Sequence, residues 1–235
     1  MTRAHSTLTD RDRRLLEHVA EYRLTTHTVL RRRLFVGQTL NAVSKVTRRL
    51  CDGDWLRKYP LIPPETYFVL GAAATHELGL TRLRCEPLGP QALPIELATL
   101  CYATLGKTLH RRLHARELKH RFPWMTPALT AAPHCLDESR TDAPCLELIR
   151  VDLGGSADHV VRKCTHDIER RFTLAPFQQL LQTQQFRLVV ITGTAPKAAA
   201  IRASVANQHW PEGLAVHLSV VSDLFPLLAR LSDAA

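Results

Sequence analysis

Phe186-Arg187-Leu188-Val189-Val190-Ile191 is a nearly continuous apolar run. A strand of this kind is buried on both faces, so its sheet must carry helices above and below. The flanking sequence supplies them. Residues 146–151 read as a strand, and Gly154-Gly155-Ser156 turns the chain into a helix reaching about residue 171, with Val160, Val161 and Ile168 inward. Residues 176–182 form a second helix, and Pro196 sits in the first turn of an Ala-rich third one. Residues 214–220 read as another strand, and Ser222 or Asp223 caps a last helix carrying Leu224, Leu227, Leu228 and Leu231. This alternation predicts an α/β sandwich with a mostly parallel sheet for residues 124–235, within a chain that is α+β overall.

The positive charge lies elsewhere. Residues 1–59 hold 13 Lys/Arg against 6 Asp/Glu, a net of +7, while residues 60–235 hold 18 against 16. Of the 31 basic residues 25 are Arg, whose planar fork of donors suits phosphate and guanine, although a coding bias toward Arg gives the same count. A basic region joined to a nearly neutral one implies that the first meets a polyanion and the second does something else.

The first 80 residues read as three helices and a hairpin. Thr9 caps a helix with Leu15, Leu16, Val19 and Tyr22 at helical spacing. Leu24-Thr25-Thr26 interrupts it and caps a second, with Val29, Leu30 and Leu34 inward and Arg31, Arg32 and Arg33 outward; Gly37 stops it. Thr39 opens a third, with Leu40, Val43, Val46 and Leu50 on one face and Asn41, Ser44, Lys45, Thr47, Arg48 and Arg49 on the others. A turn at residues 51–54 leads to strands at 55–59 and 66–70, rich in aromatic and β-branched residues, with a Pro-rich tip between them and a closing helix over 71–78. That is the order of a winged helix-turn-helix. It makes Thr39, Asn41, Ser44, Lys45, Arg48 and Arg49 candidate contacts to bases and phosphates of double-stranded DNA, with Arg57 and Lys58 on the wing. The same fold used for protein contacts, without nucleic acid, is the competing reading.

Certain residues carry a resemblance. Leu8-Thr9-Asp10-Arg11-Asp12, Tyr22-Arg23-Leu24-Thr25-Thr26, Arg48-Arg49-Leu50 ahead of Gly53-Asp54-Trp55-Leu56, and Tyr67-Phe68-Val69-Leu70 resemble the N-terminal winged helix of replication-relaxation-type proteins of plasmids, phages and integrative conjugative elements. The resemblance implies a DNA-binding role in a mobile element: a transcription regulator, or an accessory protein of replication or mobilisation bound at an origin. It also implies that the C-terminal half resembles a restriction-endonuclease-like core, in which acidic residues hold a divalent metal beside a lysine. The counterpart here is Ile149-Arg150-Val151-Asp152-Leu153 with Lys163 downstream. Arg150 stands where an acid is expected, and Asp137 or Asp142 would have to supply a second carboxylate. A degenerate core serving dimerisation, partner contact or ligand sensing is therefore expected, with no catalytic residue, metal or cofactor; a metal-dependent nuclease, whose cleavage Asp152→Ala would abolish, is the alternative of another class.

Residues 81–123 read as a linker and helical connector. Residues 106–123 are basic, and are either a second phosphate-contacting element or an exposed helix over 115–121 anchored by Leu118 and Phe122. His110, His114 and His120 have no Cys or carboxylate cluster near them at ligand spacing. Six cysteines without a C-x-x-C pair predict reduced thiols. No apolar stretch is long enough for a membrane span, and residues 1–14 lack the apolar core of a secretory leader, so a cytoplasmic protein, homodimeric and without membrane contact, is expected.

Overall fold

A computed structural model describes residues 8–108, 110–139 and 144–233. The chain is mixed α and β, with two open sheets. It divides into two compact units, Met1–Leu100 and Cys101–Ala235. The segment expected as a connector is thus shared between them, and the division falls within one helix, α5 (Ala92–Leu105). Among the described residues no helix is long and apolar enough to cross a membrane.

The first unit begins with α1 (Asp10–Tyr22). Its end is closed by a capping box in which the Thr9 hydroxyl accepts from Asp12 N and the Asp12 carboxylate accepts from Thr9 N. A two-residue strand, β1 (Thr25–Thr26), leads into α2 (His27–Arg33), and Thr26 caps that helix through Val29 N. The turn between α2 and α3 (Leu40–Asp52) places Gly37 at φ +77°, a conformation glycine adopts without steric cost. Strands β2 (Leu56–Pro60) and β3 (Thr66–Leu70) pair antiparallel in the register Leu56↔Leu70 to Pro60↔Thr66, and β1 joins the other side of β3. Helix α4 (Ala72–Glu77) follows Gly71, whose Cα is so close to the Asp54 carbonyl that a Cβ would collide with it. Leu15, Val19, Leu30, Val43, Leu50, Leu56, Phe68 and Leu70 form a shared core between helices and sheet.

Two expectations are corrected here. The third helix runs through Asp52, so the turn begins at Gly53. Leu40 is not part of the apolar stripe: it is 49% exposed at the first turn, close along the chain to Val36, which is 76% exposed. The stripe is instead Val43, Thr47 and Leu50, all buried, with Val46 partly covered.

In the second unit, five strands lie in the order β4 (His110–Leu113), β5 (His134–Asp137), β6 (Cys145–Val151), β7 (Phe186–Thr192) and β8 (Ala215–Val220). Only β6–β7 and β7–β8 are parallel; β4–β5 and β5–β6 are antiparallel. The sheet is therefore mixed rather than mostly parallel. The strands after the long helices needed crossovers and came out parallel; the link from β5 to β6, residues 138–144, is too short for a crossover and that pair is antiparallel, while β4 pairs antiparallel with β5 across the two short helices between them. Helices α6 (Ala115–Arg121), α7 (Pro127–Thr130), α8 (Ala157–Phe172), α9 (Ala175–Gln182), α10 (Ala195–Ala206) and α11 (Leu224–Asp233) complete the unit. Alternate strand residues, including Leu136, Leu146, Leu148, Leu188 and Val190, pack with Val161, Ile168, Phe177, Leu181 and Ile201 in one core.

Candidate nucleic-acid interface and a buried polar cluster

Helix α3 carries the sequence-predicted residues of the first unit. The Thr39 hydroxyl caps it by accepting from Ala42 N. Asn41, Lys45 and Arg48 are exposed, and Ser44 is half-buried between them and the core side. At roughly 100° per residue, positions 41, 45 and 48 lie on one side of a helix. Arg31, Arg32 and Arg33 are also exposed, at the end of α2.

Arg49 and Arg57 differ from these. Arg49 Nη2 donates to Asp12 Oδ1 at 2.6 Å, and Asp12 is fully buried. Burial raises the Asp12 carboxyl, but the Arg49 guanidinium and the hydrogen bonds from Thr9 outweigh it and hold the group below its ordinary value. Arg49 is thus a strut between α1 and α3. Arg57 Nε contacts Asp54 Oδ1 at 3.4 Å, and its Nη1 lies 3.9 Å from Glu86 Oε1, so part of its charge is answered within the unit. Lys58, its neighbour on β2, is exposed. His27 Nε2 lies 2.9 Å from Thr47 Oγ1, which ties α2 to α3 as Arg49 ties α1 to it.

The basic segment 106–123 does not form one element. His110–Leu113 is an edge strand, and Arg111 is held by Glu117 through paired contacts of 2.8 and 2.9 Å and by Glu138 at 3.2 Å. The α6 reading, with Leu118 buried and Phe122 against the core, stands.

The stretch expected to correspond to a nuclease centre is structurally occupied. Asp152 Oδ1 accepts from Gly154 N and its Oδ2 from the Thr192 hydroxyl, which ties the end of β6 to β7. Arg150 is paired with Asp167 of α8. Lys163 is exposed on α8, in a shallow depression with Arg150, His159, Arg162, His166 and Asp167. Asp142 lies outside the described residues.

A different set of residues comes together on the sheet face opposite the apolar core. His110 of β4 pairs across with Asp137 of β5, while Cys135 of β5 faces Glu147 of β6, and Glu147 faces Arg187 of β7. One ligand atom each from His110, Asp137 and Glu147 falls within 4.8 Å of the others. Glu147 is fully buried. Its Oε1 accepts from the Tyr102 hydroxyl at 2.9 Å and from Arg187 Nη1 at 3.2 Å, and Oε2 lies 3.0 Å from His110 Nδ1. Arg187 Nη1 also reaches Asp137 Oδ2 at 3.4 Å. The Tyr102 ring stacks on the His110 imidazole, with centroids 4.5 Å apart. Burial pushes the Asp137 carboxyl up, but Ser139, His110 and Arg187 overcome that and leave it lowered; burial beside Glu147 raises the Tyr102 phenol. A cavity lined by Tyr102, Lys107, His110, His217, Ser219 and Asp223 opens onto the histidine.

Reading the chain linearly missed this cluster, because its members are far apart in sequence. The available signal was Glu147, a lone acid inside the apolar strand Leu146–Glu147–Leu148–Ile149. No family model matches the chain, and no curated protein or solved structure matches it.

Proposed function

We propose that the chain is a double-stranded DNA-binding protein whose first unit acts as a winged helix. The observation that carries the reading is the two-sided character of α3. Val43, Thr47 and Leu50 are buried against the unit, while Asn41, Lys45 and Arg48 face solvent. Placed in a major groove, Asn offers a donor and acceptor pair suited to adenine, and Lys and Arg suit guanine or phosphate. The exposed Val36 and Leu40 at the same end of the helix suit the methyl group of thymine. The hairpin β2–β3 supplies the wing, with Lys58 toward phosphate and Arg57 shared with Asp54 and Glu86.

The biological role we favour is regulation of transcription in a mobile genetic element, with the second unit serving dimerisation or contact with a protein partner. The resemblance of residues 8–78 to replication-relaxation-type proteins supports a second role at a replication or transfer origin. Fluorescence anisotropy with mixed-sequence duplex DNA tests the binding. Salt-dependent binding that Lys45→Ala and Arg48→Ala both weaken is expected; absence of binding at 50 mM salt would leave a protein-interaction module. Genome-wide footprinting of the tagged protein separates the two roles, since a regulator gives peaks at promoters and an accessory protein a peak at an origin.

A further inference from the structure

We infer that His110, Asp137 and Glu147 form a binding site for one divalent first-row transition ion, Mn²⁺ or Zn²⁺ in preference to Mg²⁺. The three come from three adjacent strands, and their ligand atoms lie within 4.8 Å of one another. Donors about 2.0–2.2 Å from a common centre lie at most about 4.4 Å apart, so the three side chains would close by a few tenths of an ångström onto an ion. The mixture of one imidazole with two carboxylates favours a borderline ion over Mg²⁺, which prefers all-oxygen, largely hydrated surroundings. Two carboxylates offset most of the charge of a divalent ion beside Arg187, and an anionic ligand from the cavity would complete the balance.

A second observation is independent of the residue types. Glu147 is fully buried, yet its Oε2 makes no hydrogen bond, although His110 Nδ1 is only 3.0 Å away. A buried carboxylate oxygen left so is costly unless something else completes it. The outer contacts are also those of a metal site. Tyr102 and Arg187 hold Oε1 and turn Oε2 toward the histidine, and the Tyr102 ring fixes the plane of the imidazole. Arg187 touches the carboxylates through Glu147 Oε1 and Asp137 Oδ2, and Asp137 Oδ1 accepts from Ser139 N at 3.0 Å, so Glu147 Oε2 is the carboxylate oxygen left to an ion, with Asp137 contributing an oxygen that keeps its hydrogen bond. The cavity reaching His110 supplies an entry path and room for a water or anionic ligand. This inference is independent of DNA binding by the first unit.

The test uses the full chain, treated with EDTA, dialysed, and titrated calorimetrically with MnCl₂, ZnCl₂ and MgCl₂. One Mn²⁺ or Zn²⁺ per chain is expected, with Mg²⁺ at least about tenfold weaker. Glu147→Gln, which keeps the shape and the contacts of Oε1, and Asp137→Asn should each weaken Mn²⁺ binding about tenfold or more, in the range that lost metal-site contacts produce. His159→Ala on α8 should leave it unchanged. X-ray absorption at the zinc edge of the unaltered protein provides a measurement that depends on no variant folding: a nitrogen and oxygen shell with one imidazole is expected. Absence of saturable binding, parental affinity in Glu147→Gln, or sulfur in the zinc shell would each overturn the assignment and leave a buried His–Glu pair.

Discussion

Lys45 and Arg48 stand in solvent on a helix whose other side is aliphatic; His110 and Glu147 stand beneath the surface on a sheet whose other side is aliphatic. Helix α3 is amphipathic at the helical period, whereas the sheet is buried on both faces and its polar residues form a patch beside Ile149, Val189 and Ile191. The polar face of α3 retains its water, so its charges cost the fold little and remain available to an outside partner. The polar patch of the sheet is dehydrated, so each of its charges is answered inside the unit, by Tyr102, Arg187 or a neighbouring strand. In the first unit, charge can be altered with small effects on stability and large effects on binding. In the second the ratio should reverse.

The largest effect that tests this contrast is acid sensitivity. Each unit contains a histidine held neutral by burial. His18 of α1 is lowered to about 4, by burial first and then by Arg33. His134 of β5 is lowered to about 3, by burial and then by Arg171. The unfolded chain therefore takes up protons below 6.5 that the folded chain refuses. Stability is constant from this source above 6.5 and falls as the pH drops, until the folded-state value is reached near 4 or 3. Each histidine costs about 1.4 kcal/mol per pH unit crossed. His27 and His217 are displaced the same way by burial and add to the slope. Urea midpoints should be flat from pH 8 to 7 and decline from 6 to 4. Hydrogen exchange followed by segment should show the second unit, with its fully buried His134, losing protection over the wider range. Midpoints unchanged between pH 7 and 5 would remove the premise that these rings are dehydrated.

Glu147→Ala should follow, with a loss of about 3 kcal/mol in urea denaturation, because it strips Arg187 and Tyr102 of their shared acceptor in a dry site. A matching truncation on α3, Lys45→Ala, should change stability by less than about 0.5 kcal/mol, as exposed substitutions usually do. Equal effects at the two positions would abolish the comparison.

The difference between the faces also decides what could be read from the sequence. The helical face of α3 is legible because its members lie within 13 residues of one another, and a 3.6-residue period sorts them. The parallel strands β6, β7 and β8 were legible as apolar runs between helices. Strands β4 and β5 were not. His110–Leu113 reads as part of a basic stretch, since an edge strand needs no apolar run, and His134–Asp137 is four residues long with polar ends. Their omission turned a mixed sheet into a mostly parallel one, and it also hid the cluster, because only the pairing of β4, β5 and β6 brings residues 110, 137 and 147 together. Leu40 failed for another reason: helical spacing puts it near the stripe, but it is the first residue of α3 and 49% exposed. Side-chain roles such as the Arg49–Asp12 strut depend on which of several outward arginines meets a buried acid, and periodicity does not choose among neighbours.

A double substitution of Lys45 and Arg48 to alanine should weaken duplex DNA binding by about 2 kcal/mol. Its dependence of log affinity on log salt should flatten by one to two contacts' worth, while the unfolding midpoint stays put. Persistence of the full salt slope would move the contact surface to the α2 arginines, Arg31 to Arg33, which are equally exposed.

The finest test separates Arg48 from its neighbour. Arg49 looks equivalent in sequence, but its guanidinium reaches Asp12, so its loss leaves a buried carboxylate without its cation. The Arg49 side chain is 40% exposed, which screens the pair and reduces the expected loss on Arg49→Ala to about 1–2 kcal/mol. Asp12→Asn in the Arg49→Ala background should then cost less than it does alone, since a neutral amide no longer needs the cation. The coupling in that cycle measures the strut directly. Because the Asp12 carboxyl is lowered in the fold, its contribution is present above the ordinary value of 3.8 and disappears as the pH falls through the lower folded value, so the coupling should vanish only in strong acid. DNA affinity of the folded Arg49→Ala protein should remain within about threefold of the parent, against the larger loss at Arg48. If Arg49→Ala instead weakened binding as much as Arg48→Ala at unchanged stability, the buried carboxylate would have another partner and Arg49 would belong to the exposed face.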